Sequence, residues 1–323
     1  MRFLIILTGI LLLISCSEQK QNSAPKVSIK IDRLEEKLMR CESREDVQAF
    51  LSENPSIAQT FFQVPPGSPD TFLIEGLYKL VSDPNFDSLH HELQRVFPDL
   101  TELEKQFESA FSNLKSHYPQ VRVPEIKTMI SGISNDLFIS DSLIIIGLDF
   151  YLGMDSKYRP LGYPDYISKR FDAAYLVPSI MLILSDAYSQ TDYSDKTMLA
   201  EMIYYGKAYA FTREMVPEAH DSLIIWYSEK ELKDVKAHED IVWAHFLQNE
   251  LFYETNHMMK NKYLGERPKT LEIGNDCPGR VGAWLGWEIV KRYQEQEDDF
   301  SVLMAEPSAA SILQKSKYKP RPN

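Results

Sequence analysis

Apolar residues recur every three or four positions over most of the chain, and that period predicts helices. In "IDRLEEKLMRC" the apolar positions are Ile31, Leu34, Leu38 and Cys41, one face of a helix. "SREDVQAFLSENPSI" opens on Ser43 with Asp46 three residues on, a capping box with Asp where Glu is usual. "FDSLHHELQRVFPDLTELEKQFESAFSNLKSHYP" reads as two helices broken at Pro98. Leu100, Leu103, Phe107, Phe111 and Leu114 mark the buried stripe of the second. The period then changes. "RVPEIKTMISG", "NDLFIS" and "DSLIIIGLDFYLG" are short, rich in β-branched residues and separated by Gly, Asn and Asp. They predict a three-stranded sheet near residues 122–152. The last strand is apolar from Leu143 to Leu148, so both its faces should be covered. Helices return at about 171–190, 195–213, 218–228, 230–261 and 280–295. In the first of these, Leu176, Ile180, Ile183 and Leu184 should face inward beside the strand 142–152. The fold class expected is α+β, mostly helical, with a small sheet followed by a helical bundle.

The first residues follow a different rule. Arg2 precedes an apolar run from Leu4 to Ile14, and "LISC" closes it at Cys16. A basic start and a short apolar core describe a secretory signal. The run is too short for a bilayer-spanning helix, which needs roughly 20 residues. Leu-x-Ser-Cys at this place resembles the bacterial lipobox, which implies cleavage before Cys16 and acylation of that residue. Two or more acyl chains give stable anchoring. Residues 1–15 are therefore read as signal peptide and 16–28 as a flexible polar tether, "SEQKQNSAPK" being its core. Residues 29–323 form the folded domain. Ser17, not Asp, follows the cysteine, so an inner-membrane retention signal of the enterobacterial type is absent.

Composition narrows the partners. The chain has 323 residues and a net charge of −12. Removing fifteen residues that carry only Arg2 leaves an even more acidic protein. That argues against nucleic acid and against electrostatic attachment to anionic lipid, and leaves the lipid on Cys16 as the membrane contact. Of three cysteines, Cys41 and Cys277 remain after the anchor, and nothing in their spacing says whether they pair.

Candidate chemistry is thin. "HEDIVWAH", His238 to His245, nearly matches the His-Glu-x-x-His helix of zinc peptidases. Zinc needs the second His at i+4, on the same face, and Val242 stands there. His245 lies two turns on, roughly 10 Å along the axis. The motif reads better as a helix packed through Trp243, Phe246 and Leu247. "HHE", His90 to Glu92, reads as a solvated face, and His117, His220 and His257 are single. "DAYSQTDYSD" holds Asp186, Asp192 and Asp195 without the spacing of a calcium loop. No metal site and no small-molecule cofactor is expected.

Several segments in order resemble the gliding-motility lipoprotein B family (GldB) of Bacteroidetes. They are "LISC", "SLIIIGLDFYLG", "MIYYGKAYAF", "CPGRVGAWLGWEIVKRY" and "ILQKSKYKP". The resemblance implies a cell-envelope lipoprotein needed for gliding and tied to type IX secretion, held at the outer membrane on its periplasmic leaflet. Other gliding and secretion proteins of the envelope would be its partners. The same segments look like distant zincin-type peptidases. In that likeness Phe171–Gln190 would be the first zinc helix, and it has no histidine. Tyr205 would stand where the third ligand, a Glu, belongs. The implied fold is zincin-like without metal, and the implied protein is not an enzyme. Gly206 permits close helix packing, and Tyr205, Gly206 and Tyr209 are candidates to line a remaining binding cleft. Two other functions stay open. One is a zinc-dependent metallopeptidase with an unusual ligand set, using His220, His238 or His245. The other is an envelope chaperone or binding module.

Overall fold

A computed structural model describes residues 25–65 and 71–320. Cys16 and the signal lie outside the described residues. Strand β1 spans Ile31–Arg33, and helix α1 follows at Leu34–Leu38. The segment expected as one helix is thus split, because Ile31 pairs with Ile126 of a later strand. The tether expected to run to residue 28 also ends sooner, since Val27 is buried and its N–H is bound. Helix α2, Arg44–Glu53, carries the capping box: Ser43 Oγ accepts from Asp46 N–H, and Asp46 accepts from Ser43 N–H. A π-helical turn at Ile57–Phe61 precedes α3, Thr71–Val81. Helices α4 (Pro84–Val96) and α5 (Thr101–His117) break around Pro98 as the pattern requires. Every expected residue of the α5 stripe, from Leu103 to Leu114, is buried.

The sheet has four strands, one more than the pattern predicts. Strands β2 (Glu125–Met129), β3 (Leu137–Ile139) and β4 (Leu143–Gly147) join β1 in the order β1-β2-β4-β3. The pairs β1–β2 and β2–β4 are parallel, and β3–β4 is antiparallel. Both edges are covered. The π-helical turn packs on β3. On the other edge, the N–H groups of Val27, Ile29 and Ile31 donate to Ser112 Oγ, Glu108 Oε1 and Glu104 Oε1 at 3.0–3.1 Å. Acceptors four apart on a helix are about 6 Å apart, and alternate donors on a strand about 6.6 Å, so the two ladders match. Capping an edge in this way blocks pairing with other chains.

Helix α6 is Asp165–Ser168 and α7 is Ala173–Leu184. Leu176 and Ile180 are buried as expected, but Ile183 is 54% exposed. The inward face runs instead through Val177 and Met181, toward α5, α8 and α9. The start of α7 meets the end of the strand expected beside it through the bridge between Leu152 and Asp172. Helix α8 spans Met198–Met215 and α9 spans Asp221–Ile225. The helix expected over 230–261 is three helices: α10 (Glu229–Ala237), α11 (Glu239–Gln248) and α12 (His257–Leu264). The breaks have local causes. His238 leaves helical geometry, Glu250 takes a left-handed φ of 55°, and Asn256 caps α12 through Met258 and Met259 N–H. Helix α13 (Val281–Gln294) is followed by two helices the pattern did not single out, α14 (Phe300–Ala305) and α15 (Ala309–Ser316).

One buried cluster runs from Val27 to Tyr318, with α8 crossing α13 at its centre. Gly206 and Gly286 make that crossing. A Cβ on Gly206 would lie 2.5 Å from Gly286 O, and one on Gly286 would lie 2.0 Å from Met202 O. Lys207, next to the crossing, is buried and donates through Nζ to Gln190 O, Met304 O and Glu306 O at 2.7–3.0 Å. Three carbonyl acceptors stabilise the ammonium, while burial pushes its pKa down to about 8. The lysine thereby holds the end of α14, where the chain turns toward α15, against α8.

The crossing gives a paired expectation. Gly206→Ala forces two backbones apart and should cost about 1–3 kcal/mol. Gly76→Ala, on α3 with open space around it, should stabilise by about 0.4–1 kcal/mol. Denaturant unfolding of both variants checks the difference in sign.

Candidate functional site

The segments "YYGKAYA" and "CPGRVGAW" meet across the α8–α13 crossing. Tyr209 is entirely buried, Gly206 is buried and Tyr205 half-buried. The space beside Gly206 is filled by the backbone of Gly286, so Gly206 and Tyr209 sit in packed interior while Tyr205 keeps part of its surface open. Beside them lies a charged cluster. Arg280 precedes α13 in a left-handed conformation, φ 59°. Its Nη2 donates to Tyr209 Oη at 2.6 Å, and its Nε lies 3.4 Å from Glu266 Oε1. Arg170 grips the same carboxylate with two bonds, 3.1 Å to Oε1 and 2.8 Å to Oε2. Both guanidinium groups lie over the Trp226 ring, at 4.5 and 4.9 Å from its centre. Trp226 is itself left-handed, φ 64°, and its indole N–H donates to Ser179 Oγ of α7 at 3.3 Å. Tyr227 closes the floor by donating to Gly279 O at 2.7 Å. Burial works to raise the pKa of Glu266, and the two arginines more than offset it, holding the carboxyl below its ordinary value.

Arg170, Trp226 and Glu266 were not singled out by the sequence. Each is isolated, and Arg170 and Glu266 are 96 positions apart. The one usable signal was Arg280, inside the segment "CPGRVGAW".

The His238 stretch does not bring metal-ligating side chains together. His238 joins α10 to α11 and pairs through Nδ1 with Asp234 O at 2.8 Å. Val242, where the second ligand would stand, is 1% exposed and faces the core. Tyr318 donates to Glu239 Oε1 at 2.5 Å, which occupies the carboxylate a metallopeptidase would use on water. His245 pairs with Tyr263 Oη at 3.0 Å, and burial lowers its pKa. Phe246 is buried as expected, but Trp243 is half-buried and Leu247 exposed. Trp243 leans on Phe252 and Tyr318. Among the described residues no group of three His, Cys, Asp or Glu is placed to hold a metal ion.

Two cavities border these elements. One of ≈ 470 Å³ lies between α5, α7 and α9, lined by Val177, Pro178, Val216, Leu223 and His220. Another of ≈ 420 Å³ is lined by His238, Val242, Ile273 and Cys277. Burial pushes the Cys277 thiol up to about 12, which makes it a poor nucleophile. Among the described residues Cys41 and Cys277 form no disulfide.

A protein-family model for gliding motility protein GldB matches residues 15–320. The chain belongs to that family. Its function accordingly relates to gliding motility, and its family is one of envelope lipoproteins. No curated protein and no solved structure matches it. Among the described residues no helix is long and apolar enough to cross a membrane.

At the C-terminal ends of the parallel strands, where open sheets commonly bind ligands, stands Asp149. It is fully buried and accepts from Ser131 N–H at 3.0 Å and Ile133 N–H at 2.6 Å. Gly132 and Ile133 are both left-handed, with φ of 72° and 60°, so the carboxylate holds a strained turn. Its Oδ1 is buried without a partner. Burial raises its pKa to about 6, the backbone donors opposing the rise.

Two expectations follow from this geometry. Folding raises the Asp149 pKa from 3.8 to about 6, so the native state binds the extra proton between those values. Stability should therefore fall as pH rises from about 4 to 6, by on the order of 2–3 kcal/mol. Asp149→Asn should flatten that slope in urea unfolding across pH. In α11 the ranking should follow burial. Phe246→Ala should cost about 3–5 kcal/mol, Trp243→Ala less, and exposed His238→Ala within about 0.5 kcal/mol. Equal losses at His238 and Phe246 would contradict the packing described.

Proposed function

We propose that the protein is a lipid-anchored component of the cell envelope that serves gliding motility, is associated with type IX secretion, and works by binding and not by catalysis. The family match carries this reading, since it spans nearly the whole chain and takes in Cys16. Acylated Cys16 would hold it to the membrane, at the periplasmic leaflet of the outer membrane. The non-catalytic part is supported by what occupies the positions a zincin would use. Tyr205 takes the place of a third ligand, α7 has no histidine, and Glu239 is tied to Tyr318. The reading of a zincin-like body that has lost its metal is retained on these grounds.

The test has two arms. Cys16→Ser should leave the membrane fraction or accumulate unprocessed, and should fail to restore gliding to a strain lacking the protein. Unchanged processing and detergent partitioning would refute the anchor. Purified without chelator, the protein should carry far less than one zinc per chain. Stoichiometric zinc lost on changing His220, His238 or His245 would favour a metallopeptidase instead.

A further inference from the structure

The cluster at Arg280 holds more positive charge than its own carboxylates balance. Arg170 and Arg280 share Glu266. Lys169 and Lys269 share Glu231, which also faces Tyr227. Four cations thus meet two carboxylates. Arg280 is 5% exposed, and an uncompensated charge at that depth is costly. The donors are also incompletely used. Arg280 Nη1 and Arg170 Nε are buried with no acceptor. Buried polar atoms without partners call for an explanation, and a missing anion is one.

We propose that Arg170 and Arg280 form a receptor for a carboxylate, and that Glu266 fills it from within the chain. The receptor is rigid, because Trp226 holds both guanidinium planes and Tyr209 fixes Arg280 from behind. Its chemistry is the bidentate fork that arginine offers a carboxylate. The start of α13 adds to it. This helix has no side-chain cap and no acidic residue in its first turn, so its positive end is uncompensated. The plug is looser than the receptor. The Glu266 side chain is 40% exposed, against 6% for Arg280 and 14% for Arg170. Beyond it, the loop to Arg280 is pinned by Thr270 N–H to Cys277 O at 2.9 Å and Thr270 Oγ1 to Pro278 O at 2.8 Å. Glu266 therefore leaves by rotating its side chain toward solvent while Arg280 stays in place. An incoming carboxylate takes the same two arginines in its place. This inference stands on the cluster alone and does not depend on the role in gliding.

The experiment uses the full-length protein and reads thermal unfolding against added anion at constant ionic strength. Glu266→Ala opens the receptor. Sodium acetate should raise its Tm saturably by a few degrees over sodium chloride. The parent should need higher acetate for the same rise, since Glu266 competes. Arg170→Gln combined with Glu266→Ala should lose the response, and this pair avoids Arg280, whose loss threatens the fold. A short peptide with a free C-terminus, compared with its amide, separates two sources of the carboxylate. Tighter binding of the free peptide than of acetate assigns a peptide terminus, and equal binding assigns a small free acid. Inorganic phosphate acting as well as acetate would overturn the carboxylate assignment. Equal responses to acetate and chloride in Glu266→Ala, or an unaltered response in the double variant, would overturn the receptor itself.

Discussion

The contact of Gly206 with Gly286 sets the distance between α8 and α13, and most of the molecule is placed by that distance. Two helix backbones approach until a single methyl group would not fit. Everything carried on the two helices then has a fixed partner. Tyr209 reaches Arg280 because the crossing holds one turn of α8 over the start of α13. Lys207, one residue past Gly206, faces the other way and finds two carbonyls at the end of α14 and one, Gln190 O, from the segment before α8. Trp284, Trp287 and Phe211 fill the space the crossing leaves and are almost wholly buried. Helix α8 is buried on nearly all sides, the condition of a central helix and not of an amphipathic surface one.

The charged cluster depends on this packing more than it contributes to it. A buried guanidinium is tolerated only where its donors are met or its charge is shared over aromatic faces. Arg280 meets both conditions in part. Its left-handed backbone turns the side chain under Tyr209, and Trp226 gives a face to it and to Arg170. Several tyrosines and one tryptophan therefore do what a second carboxylate would do in a fully paired site. The remaining deficit is concentrated on two nitrogen atoms. Replacing such a pair with well-packed apolar residues is often neutral or stabilising, so the cluster is not needed to explain the stability of the core.

Periodicity alone showed where helices and the sheet lie, since the period of 3.6 in Leu103–Phe107–Phe111–Leu114 and the apolar run Leu143–Ile146 are burial patterns. It failed where a short segment has too few positions to show any period. Ile31–Arg33 is three residues long and continues into a helix, so its strand pairing is a tertiary effect. The run 230–261 was overextended because its period survives each break, while the breaks rest on His238, Glu250 and the Asn256 cap. Ile183 and Leu247 fit helical stripes and are nonetheless exposed, because a stripe shows which residues share a face and not how far the neighbouring element reaches. The site was legible only in its helical half. Tyr209 and Arg280 belong to long segments, whereas Arg170, Trp226 and Glu266 come from loops and helix ends brought together by the fold.

The covered edge of the sheet bears on how the chain is held from its N-terminal side. Val27, Ile29 and Ile31 meet Ser112, Glu108 and Glu104 in that order, so the segment runs antiparallel to α5. On its other edge β1 pairs in parallel with β2. Force applied before Pro25 along this segment therefore acts in shear on both rows of hydrogen bonds at once. Bonds loaded in shear share the load, whereas bonds peeled from one end break in turn. The sheet edge is sealed against other chains, and the same bonds join the segment Val27–Ile31 to α5, which packs directly on α8 at the centre of the core.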